Sequence, residues 1–192
     1  MSNDRVGLRF QETVSEQFKF LENEYLFRIT ESNETFVRYE TQDVFVNVFH
    51  GRISYEVGLE IGSLKMGMKT GYGLGSLVGI YDPEDGVEYR QYVAKDIKGV
   101  EKKVRNLARL LRKHGAKALI GDPDVFDLLE KDVQRYWSEM NAMQVRPQAE
   151  KAFREKNYAA VIKLYSSMDN ILTKAERAKL NFARKKTALE SE

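Results

Sequence analysis

A change in the spacing of apolar residues near Tyr25 constrains the fold more than any other feature. From Tyr25 to Ile61, apolar and polar residues alternate in four stretches, YLFRIT, TFVRYE, DVFVNVFH and ISYEVGLEI, which short polar segments separate. Alternation with a period of two is typical of β-strands, and short connections favour antiparallel neighbours. The sequence therefore predicts a four-stranded antiparallel meander, with one face in water and one face covered by helices.

The last of the four stretches shows the alternation most clearly. Its first predicted face carries the apolar residues Ile53, Tyr55, Val57, Leu59 and Ile61. Its second predicted face carries Ser54, Glu56, Gly58 and Glu60. We expect the first face to point into the core and the second to point into water.

Before the sheet, the apolar spacing is that of an α-helix. A helix is predicted over about Asp4–Glu22, with Ser2, Asn3 or Asp4 as its cap. Its apolar face carries residues at steps of three and four, namely Phe10, Val14, Phe18 and Leu21. Helices of this kind bury one face against a sheet.

Two further helices are well marked after the sheet. The first spans Asp96–His114 and ends at Gly115. The second begins after Asp122, which can cap the free amides, and Pro123 takes the first helical position. Its apolar stripe comprises Val125, Leu128, Leu129, Val133, Tyr136, Trp137 and Met140. The segment NAMQVRPQ then predicts a joint, because Pro147 disfavours a helical conformation of the residue before it.

The predicted fold class is therefore α+β, with an N-terminal helix, the meander and an all-helical C-terminal half. Residues 1–145 are predicted to form the core domain. Residues 146–192 are predicted to form a helical hairpin packed on it, with helices over Pro147–Glu155 and Tyr158–Asn170 and a third from Lys174 to the end.

Residues 62–92 contain seven of the 13 glycines of the chain, which disfavours regular structure. We predict a flexible loop with one helical turn at about Leu74–Ile80, followed by a turn at DPEDG. The motif GYGLGSLVG does not predict a nucleotide site. It does not directly follow a strand of a βαβ unit, and no Gly-Lys-Ser or Gly-Lys-Thr ends it.

The segment AEKAFREKNYAAVIKLYSSM near the C-terminus resembles a tetratricopeptide-type helical hairpin. Small residues, Ala149 and Ala152, stand where the two helices of that family touch, and Tyr158 follows the turn. Val161 and Tyr165 lie further along the second helix, and LTKAERAKLNFARKK is similar to a following helix. The resemblance implies either a helical cap on the core or a partner-binding element in which Tyr158 and Tyr165 contact the partner.

Charge is segregated along the chain although the net charge is only +2. Residues 95–117 carry nine basic and two acidic side chains, and six of the cations fall on one face of the helix predicted there. These six residues are Lys98, Lys102, Arg105, Arg109, Arg112 and Lys113. The pattern is typical of a solvated helix face, of a surface for an acidic protein patch, or of a surface for a nucleic-acid backbone. The acidic patch is to be found either on a partner, on the N-terminal half of the chain, or on a second copy.

Residue types needed for covalent or metal chemistry do not come together in the sequence. The chain has no cysteine, which excludes disulfides, thiolate metal sites and cysteine nucleophiles. His50 is predicted in a hairpin turn and His114 at the end of the basic helix, neither with an acidic neighbour at ligand spacing. No catalytic residue, metal ligand or cofactor is therefore predicted.

Four charged residues on the predicted water face of the sheet allow two interpretations. They are Arg38 and Glu40 on the second strand and Glu56 and Glu60 on the fourth. One interpretation is a paired-carboxylate site of the glycosidase type. The other, which we favour, is charge pairing between strands.

The composition, with 42% hydrophobic and 31% charged residues, is that of a globular protein. No apolar run reaches the roughly 20 residues that a membrane span needs, and MSNDRVGLRF lacks the apolar core of a signal peptide. We therefore expect a cytoplasmic protein without a membrane partner. Self-association is compatible with the sequence.

The leading functional hypothesis is a non-enzymatic protein that binds another protein. In size and in its lack of catalytic residues, the chain is similar to the small bacterial immunity and antitoxin proteins, which cover the active site of a partner enzyme. The alternative is a nucleic-acid-associated accessory protein that uses the basic helix at residues 96–114. A third hypothesis is an enzyme that uses the carboxylates of the sheet, which Glu56→Gln or Glu60→Gln would inactivate.

Overall fold

The computed structural model describes residues 6–89 and 92–189. It divides into two compact units, Met1–Glu130 and Lys131–Glu192, called unit 1 and unit 2 below. The sequence placed the domain boundary later, after residue 145. The fold class is α+β, as predicted, with a mostly helical C-terminal half.

The N-terminal part of unit 1 is helical but interrupted. A 3₁₀ turn at Val6–Leu8 precedes helix α1 (Phe10–Gln17), and α2 (Lys19–Tyr25) follows after a break at Phe18. The four apolar residues predicted to share a face, Phe10, Val14, Phe18 and Leu21, are all buried. The predicted start and cap of this helix at residues 2–4 lie outside the described residues.

The predicted meander is confirmed. Strands β1 (Arg28–Asn33), β2 (Phe36–Glu40), β3 (Val44–His50) and β4 (Glu56–Ser63) pair in this order, each antiparallel to the next. Two short strands, β5 (Tyr72–Gly73) and β6 (Tyr92–Val93), both pair with β4.

The face of β4 predicted to be apolar is buried from Val57 onward. Val57, Leu59 and Ile61 point into the core, as predicted. Ile53 does not, because β4 begins only at Glu56 and Ile53 lies in the preceding turn with 94% of its surface exposed. The predicted strand therefore starts too early, at Ile53 instead of Glu56.

Helix α5 (Ile97–His114) packs against the sheet and confirms the predicted helix at residues 96–114. The side chain of Asp96 caps its N-terminus by accepting a hydrogen bond from the Gly99 amide at 2.8 Å. Its buried face consists of Val100, Val104, Leu107, Ala108, Leu110 and Leu111. The opposite face of α5 is thereby left to water.

The glycine-rich segment is more regular than predicted. Leu74–Tyr81 forms a full helix, α3, and the predicted DPEDG turn is instead the start of helix α4 (Pro83–Glu88), capped by Asp82. Several of its glycines allow close approach of backbones rather than flexibility. A Cβ atom at Gly71 would lie 2.7 Å from the carbonyl oxygen of Ile61.

Two glycines at the contact between α3 and α4 give opposite expectations for alanine substitution. A Cβ atom at Gly86 would lie 2.7 Å from the Cα atom of Gly79, whereas one at Gly79 would meet no atom within 4 Å. We expect Gly86→Ala to lower the free energy of unfolding by about 1 to 3 kcal/mol. Gly79→Ala should raise it by up to about 1 kcal/mol, because alanine favours the helix. Urea unfolding of both variants checks this, and equal effects would contradict the described contact.

A short helix, α6 (Ala116–Leu119), leads to α7, which runs without interruption over Pro123–Arg154. Asp122 caps α7 as predicted, accepting a hydrogen bond from the Asp124 amide at 3.0 Å. The joint predicted at NAMQVRPQ is wrong, since Pro147 lies inside the helix. Ala142 and Ala149 are buried on either side of the proline. The stabilisation from their burial in a continuous helix outweighs the loss of the single hydrogen bond that proline removes.

The predicted apolar stripe of α7 is only partly buried. Val125 and Leu129 belong to the core of unit 1. Leu128, Tyr136, Trp137 and Met140 are exposed, and Tyr136 and Trp137 contact each other edge to face at 5.6 Å.

Unit 2 is built from the end of α7, helix α8 (Tyr158–Ser166), a 3₁₀ turn at Asp169–Ile171 and helix α9 (Lys174–Leu189). Helices begin at Tyr158 and Lys174 as predicted, but α8 ends before Asn170. Its core consists of Ala142, Ala149, Ala152, Val161, Tyr165, Met168, Leu180 and Ala183. Likeness of this hairpin to a tetratricopeptide repeat stays a prediction. Among the described residues, no helix combines the length and apolar character that crossing a membrane requires.

Candidate partner-binding site

The six cations predicted to share a face are all exposed on α5. We call Lys98, Lys102, Arg105, Arg109, Arg112 and Lys113 the basic strip. The strip lies on the face opposite the buried residues of α5, because helical spacing of three and four separates the two sets. It is therefore accessible to a partner.

Two residues at the C-terminal end of the basic strip pair with carboxylates of unit 1. Arg112 forms an ion pair with Glu24 of α2, and its guanidinium lies 5.3 Å from the centre of the Phe20 ring. The Lys113 ammonium lies 2.7 Å from Asp85 and 3.4 Å from Asp82. The hydrogen bond with Asp85 raises the pKa of Lys113. The chain itself thus neutralises this end of the strip.

The other four cations of the strip differ from Arg112 and Lys113 in their ion pairing. Within residues 6–89 and 92–189, Lys98, Lys102, Arg105 and Arg109 form no ion pair with a carboxylate. Arg109 donates to the side-chain oxygen of Asn106 on its own helix, at 3.0 and 3.3 Å. Four positive charges consequently face water over more than three turns of α5, from Lys98 to Arg109.

A groove of about 280 Å³ lies beside these cations. Its lining residues are Gln17, Phe20, Arg105, Ala108, Arg109 and Arg112. Phe20 and Ala108 are 7% and 6% exposed, so they form an apolar floor, and the arginines form a cationic rim. Such a groove suits an apolar side chain that carboxylates or phosphates flank, since guanidinium groups bind both anions through paired hydrogen bonds.

The two tyrosines predicted to contact a partner lie in unit 2 and differ in accessibility. Tyr165 is completely buried, and its hydroxyl donates to Glu150 at 2.7 Å. Burial, followed by this hydrogen bond, raises the pKa of Tyr165. The prediction that Tyr165 contacts a partner is therefore corrected, because Tyr165 is a core residue. Tyr158 is half-buried, and its ring packs edge to face against Phe182 at 5.8 Å.

Three of the four charged residues predicted on the outer sheet face, Arg38, Glu40 and Glu60, form a network that runs through Asn47, a residue that the sequence analysis missed. Arg38 forms an ion pair with Glu40 on its own strand and donates to Asn47 at 3.2 Å. Asn47 in turn donates to Glu60 at 2.7 Å. The predicted charge pairing between β2 and β4 is wrong in this form, because β3 lies between them. The single polar residue within VFVNVFH was the available signal.

The two histidines lie in environments that the sequence did not predict. His50 ends β3 rather than occupying a turn, and its Nε2 lies 2.8 Å from the carbonyl oxygen of Ala94. His114 ends α5 as predicted, but the fold brings its Nε2 to 3.1 Å from Asp85. Neither contact was visible from sequence spacing.

Asp82, Asp85 and His114 are close enough to share a cation, with their ligand atoms within 4.8 Å of one another. Lys113 already lies among them, and its hydrogen bond, followed by that of His114, lowers the pKa of Asp85. The ammonium group already supplies a positive charge to both carboxylates. The cluster is thus an ion-pair network at the ends of α4 and α5.

Comparison with known proteins finds no match for this chain. No protein-family model matches it, and no curated protein or solved structure is significantly similar to it. The geometry and charge of the basic strip and its groove are therefore the basis for assigning a function.

Proposed function

We propose that this chain is a non-enzymatic binding protein that covers an acidic surface of another protein with its basic strip. The observation that carries the proposal is the contrast along α5. Arg112 and Lys113 are neutralised by the chain itself, whereas Lys98, Lys102, Arg105 and Arg109 have no carboxylate partner in the described part of the chain. Unneutralised charges of one sign along one face favour association with a surface of opposite sign.

The groove gives this surface a place for specific contact. Charge alone steers encounter and is screened by salt, whereas an apolar side chain entering a pocket contributes affinity. Phe20 and Ala108 supply the apolar floor, and Arg105 and Arg109 supply the charges at its rim. The partner surface that fits has an apolar residue flanked by aspartate or glutamate.

A more specific form of the proposal is inhibition of a partner enzyme, in the manner of immunity and antitoxin proteins. An inhibitor of this type acts by shape and charge complementarity and needs no catalytic group. A cytoplasmic location belongs to the same proposal, since a chain without cysteine needs no oxidising compartment.

A nucleic-acid partner is the second candidate, because guanidinium groups spaced one helical turn apart also suit phosphates. Arg105 and Arg109 are the residues that would contact the backbone. The two candidates differ in how their affinity depends on salt. A nucleic-acid complex tightens steeply as the salt concentration falls, and more so with each phosphate contacted.

The decisive experiment compares two double charge reversals with the unchanged protein. Arg105→Glu with Arg109→Glu alters the strip, and Lys65→Glu with Lys69→Glu is the control. The control makes the same change in net charge at exposed residues outside the strip. A partner captured from the host and then purified is titrated with each form, and duplex DNA and single-stranded RNA are titrated in parallel over a salt series.

We expect the strip variant to bind the purified protein partner at least about tenfold more weakly, because attraction becomes repulsion at two positions. The control should bind within about threefold of the unchanged protein. Equal affinity of the strip variant and the control would refute the proposed site. Tight, salt-sensitive binding to DNA or RNA that only the strip variant loses would establish the second candidate instead.

A further inference from the structure

Among residues 6–89 and 92–189, one edge of the sheet in unit 1 is open, and the other is closed. The outer edge of β4 is paired near both of its ends, with β6 at Glu56 and Val57 and with β5 at Glu60 and Ile61. Within the described residues, β1 pairs with β2 only. The outer edge of β1 therefore presents unpaired backbone N–H and C=O groups, which are a template for another strand.

Residues of the described ranges do not cover this edge. Its residues are exposed or half-buried along the whole strand, on both faces of the sheet. Leu26, just before the strand, is 80% exposed, and Ile29 is 39% exposed. An added strand would therefore meet no obstacle from the described residues and would cover apolar surface at Leu26 and Ile29.

A β-bulge gives this edge a specific charge pattern. Arg28 lies opposite Glu40 and Glu31 lies opposite Arg38, with the irregularity between Ile29 and Glu31. Arg38 and Glu40 share the outer sheet face, so Arg28 and Glu31 share it as well. Without the bulge, residues three apart on a strand would point to opposite faces. One face of the edge thus carries a cation and an anion three residues apart.

We propose that β1 is a self-association surface, on which β1 of a second copy of this chain pairs in the antiparallel direction. A two-fold axis between Ile29 and Thr30 places Arg28 opposite the partner's Glu31, and Glu31 opposite the partner's Arg28. Residues opposite each other in an antiparallel pair share a face. Both ion pairs therefore form on one face of a continuous sheet, as a two-fold interface requires.

The charge pattern of β1 favours pairing with a second copy over pairing with an unrelated strand. Charged residues and a bulge on an edge strand ordinarily oppose pairing with other chains. Here the same charges disfavour a strand that lacks the complementary order of charges. When two copies of β1 pair antiparallel, the cation Arg28 of each copy lies opposite the anion Glu31 of the other. The surface lies on β1 and not on α5, so it is independent of the basic strip.

Sedimentation equilibrium of the full-length chain, from micromolar to submillimolar concentration, tests the proposal. The expected mass approaches twice the 22.2 kDa of one chain as concentration rises. Arg28→Glu should raise the dimer dissociation constant at least about tenfold, because it sets like charges opposite each other at two positions. The double variant Arg28→Glu with Glu31→Arg restores the complementary order and should dimerise within about threefold of the unchanged protein.

Two further variants and one measurement make the test specific. Lys65→Glu controls for the change in net charge. Trp137→Ala removes an exposed aromatic side chain outside β1, which is 64% exposed. Both variants should leave the mass unchanged. Hydrogen exchange of the unchanged protein should show stronger protection of amides at residues 28–33 at high concentration. A monomer at all concentrations, a dimer that Arg28→Glu does not weaken, or a dimer that Trp137→Ala dissociates would each overturn the proposal.

Discussion

Replacing Phe45 by alanine is expected to lower the free energy of unfolding of unit 1 by about 3 to 4 kcal/mol. Phe45 lies on the outer face of β3 and is nevertheless completely buried. Its ring covers Gly62 on β4, where a Cβ atom would lie 2.3 Å from the ring, and the Arg38 guanidinium lies 4.2 Å from its centre. Alanine would remove the ring from both contacts and leave a cavity over the glycine.

Phe49→Ala is the matched control for this prediction. Phe49 lies four residues further along the same strand, on the same face, and its ring covers Gly58 in the same way. Because Phe49 is only half-buried, its replacement should cost about 1 to 2 kcal/mol. Urea unfolding followed by circular dichroism measures both variants. Equal losses would show that Phe45 is not the better covered of the two.

Replacing Glu176 by alanine is expected to destabilise unit 2 by about 3 kcal/mol. Glu176 accepts from the Thr173 amide at 2.7 Å, and its own amide donates to the Thr173 hydroxyl at 3.2 Å, which together form a capping box at the start of α9. Its other carboxylate oxygen accepts from Arg146 at 2.8 Å. The residue is 8% exposed, so loss of its side chain leaves Arg146 without its carboxylate partner.

Glu155→Ala is the control, because Glu155 is exposed and lies 3.9 Å from Lys151 on the surface. Its replacement should change the unfolding free energy by less than about 0.5 kcal/mol. Thermal and urea unfolding of both variants, followed at a probe within unit 2, provide the comparison. A loss for Glu176→Ala as small as that of the control would exclude the described network.

The contribution of Glu176 should also depend on pH. Burial acts to raise its pKa, but the hydrogen bonds from Thr173 and Arg146 together outweigh burial, so the pKa is lowered from 4.5. A carboxyl whose pKa is lower in the folded state stabilises the fold above its unfolded pKa. This stabilisation is lost as pH falls through the folded pKa. The difference between the unchanged protein and Glu176→Ala should therefore be constant at neutral pH and shrink below about pH 4.5.

The parts of the fold that depend on local periodicity could be predicted from the sequence. The meander and α5 were predicted because alternation and helical spacing are set by residues close in the chain. The joint at NAMQVRPQ was predicted wrongly, since the local preference of Pro147 is outweighed by burial of Ala142 and Ala149 in a core that forms only in the folded chain. The helices at residues 74–88 were missed because their glycines serve packing between backbones.

The candidate site was predicted only to the extent that it lies on one helix. The basic strip follows from the spacing of cations on α5. The pairing of Arg112 with Glu24 and of Lys113 with Asp85 joins residues 88 and 28 positions apart, so no local pattern shows which cations stay unneutralised. The groove likewise depends on Phe20, which α2 brings beside α5.

Phe45 and Gly62 lie directly opposite each other on neighbouring strands, as do Phe49 and Gly58. A larger residue at either glycine would collide with the ring that covers it, and a smaller residue at either phenylalanine would leave the glycine bare. We therefore expect the two positions of each pair to act together, so that the stability cost of a change at one depends on which residue stands opposite it.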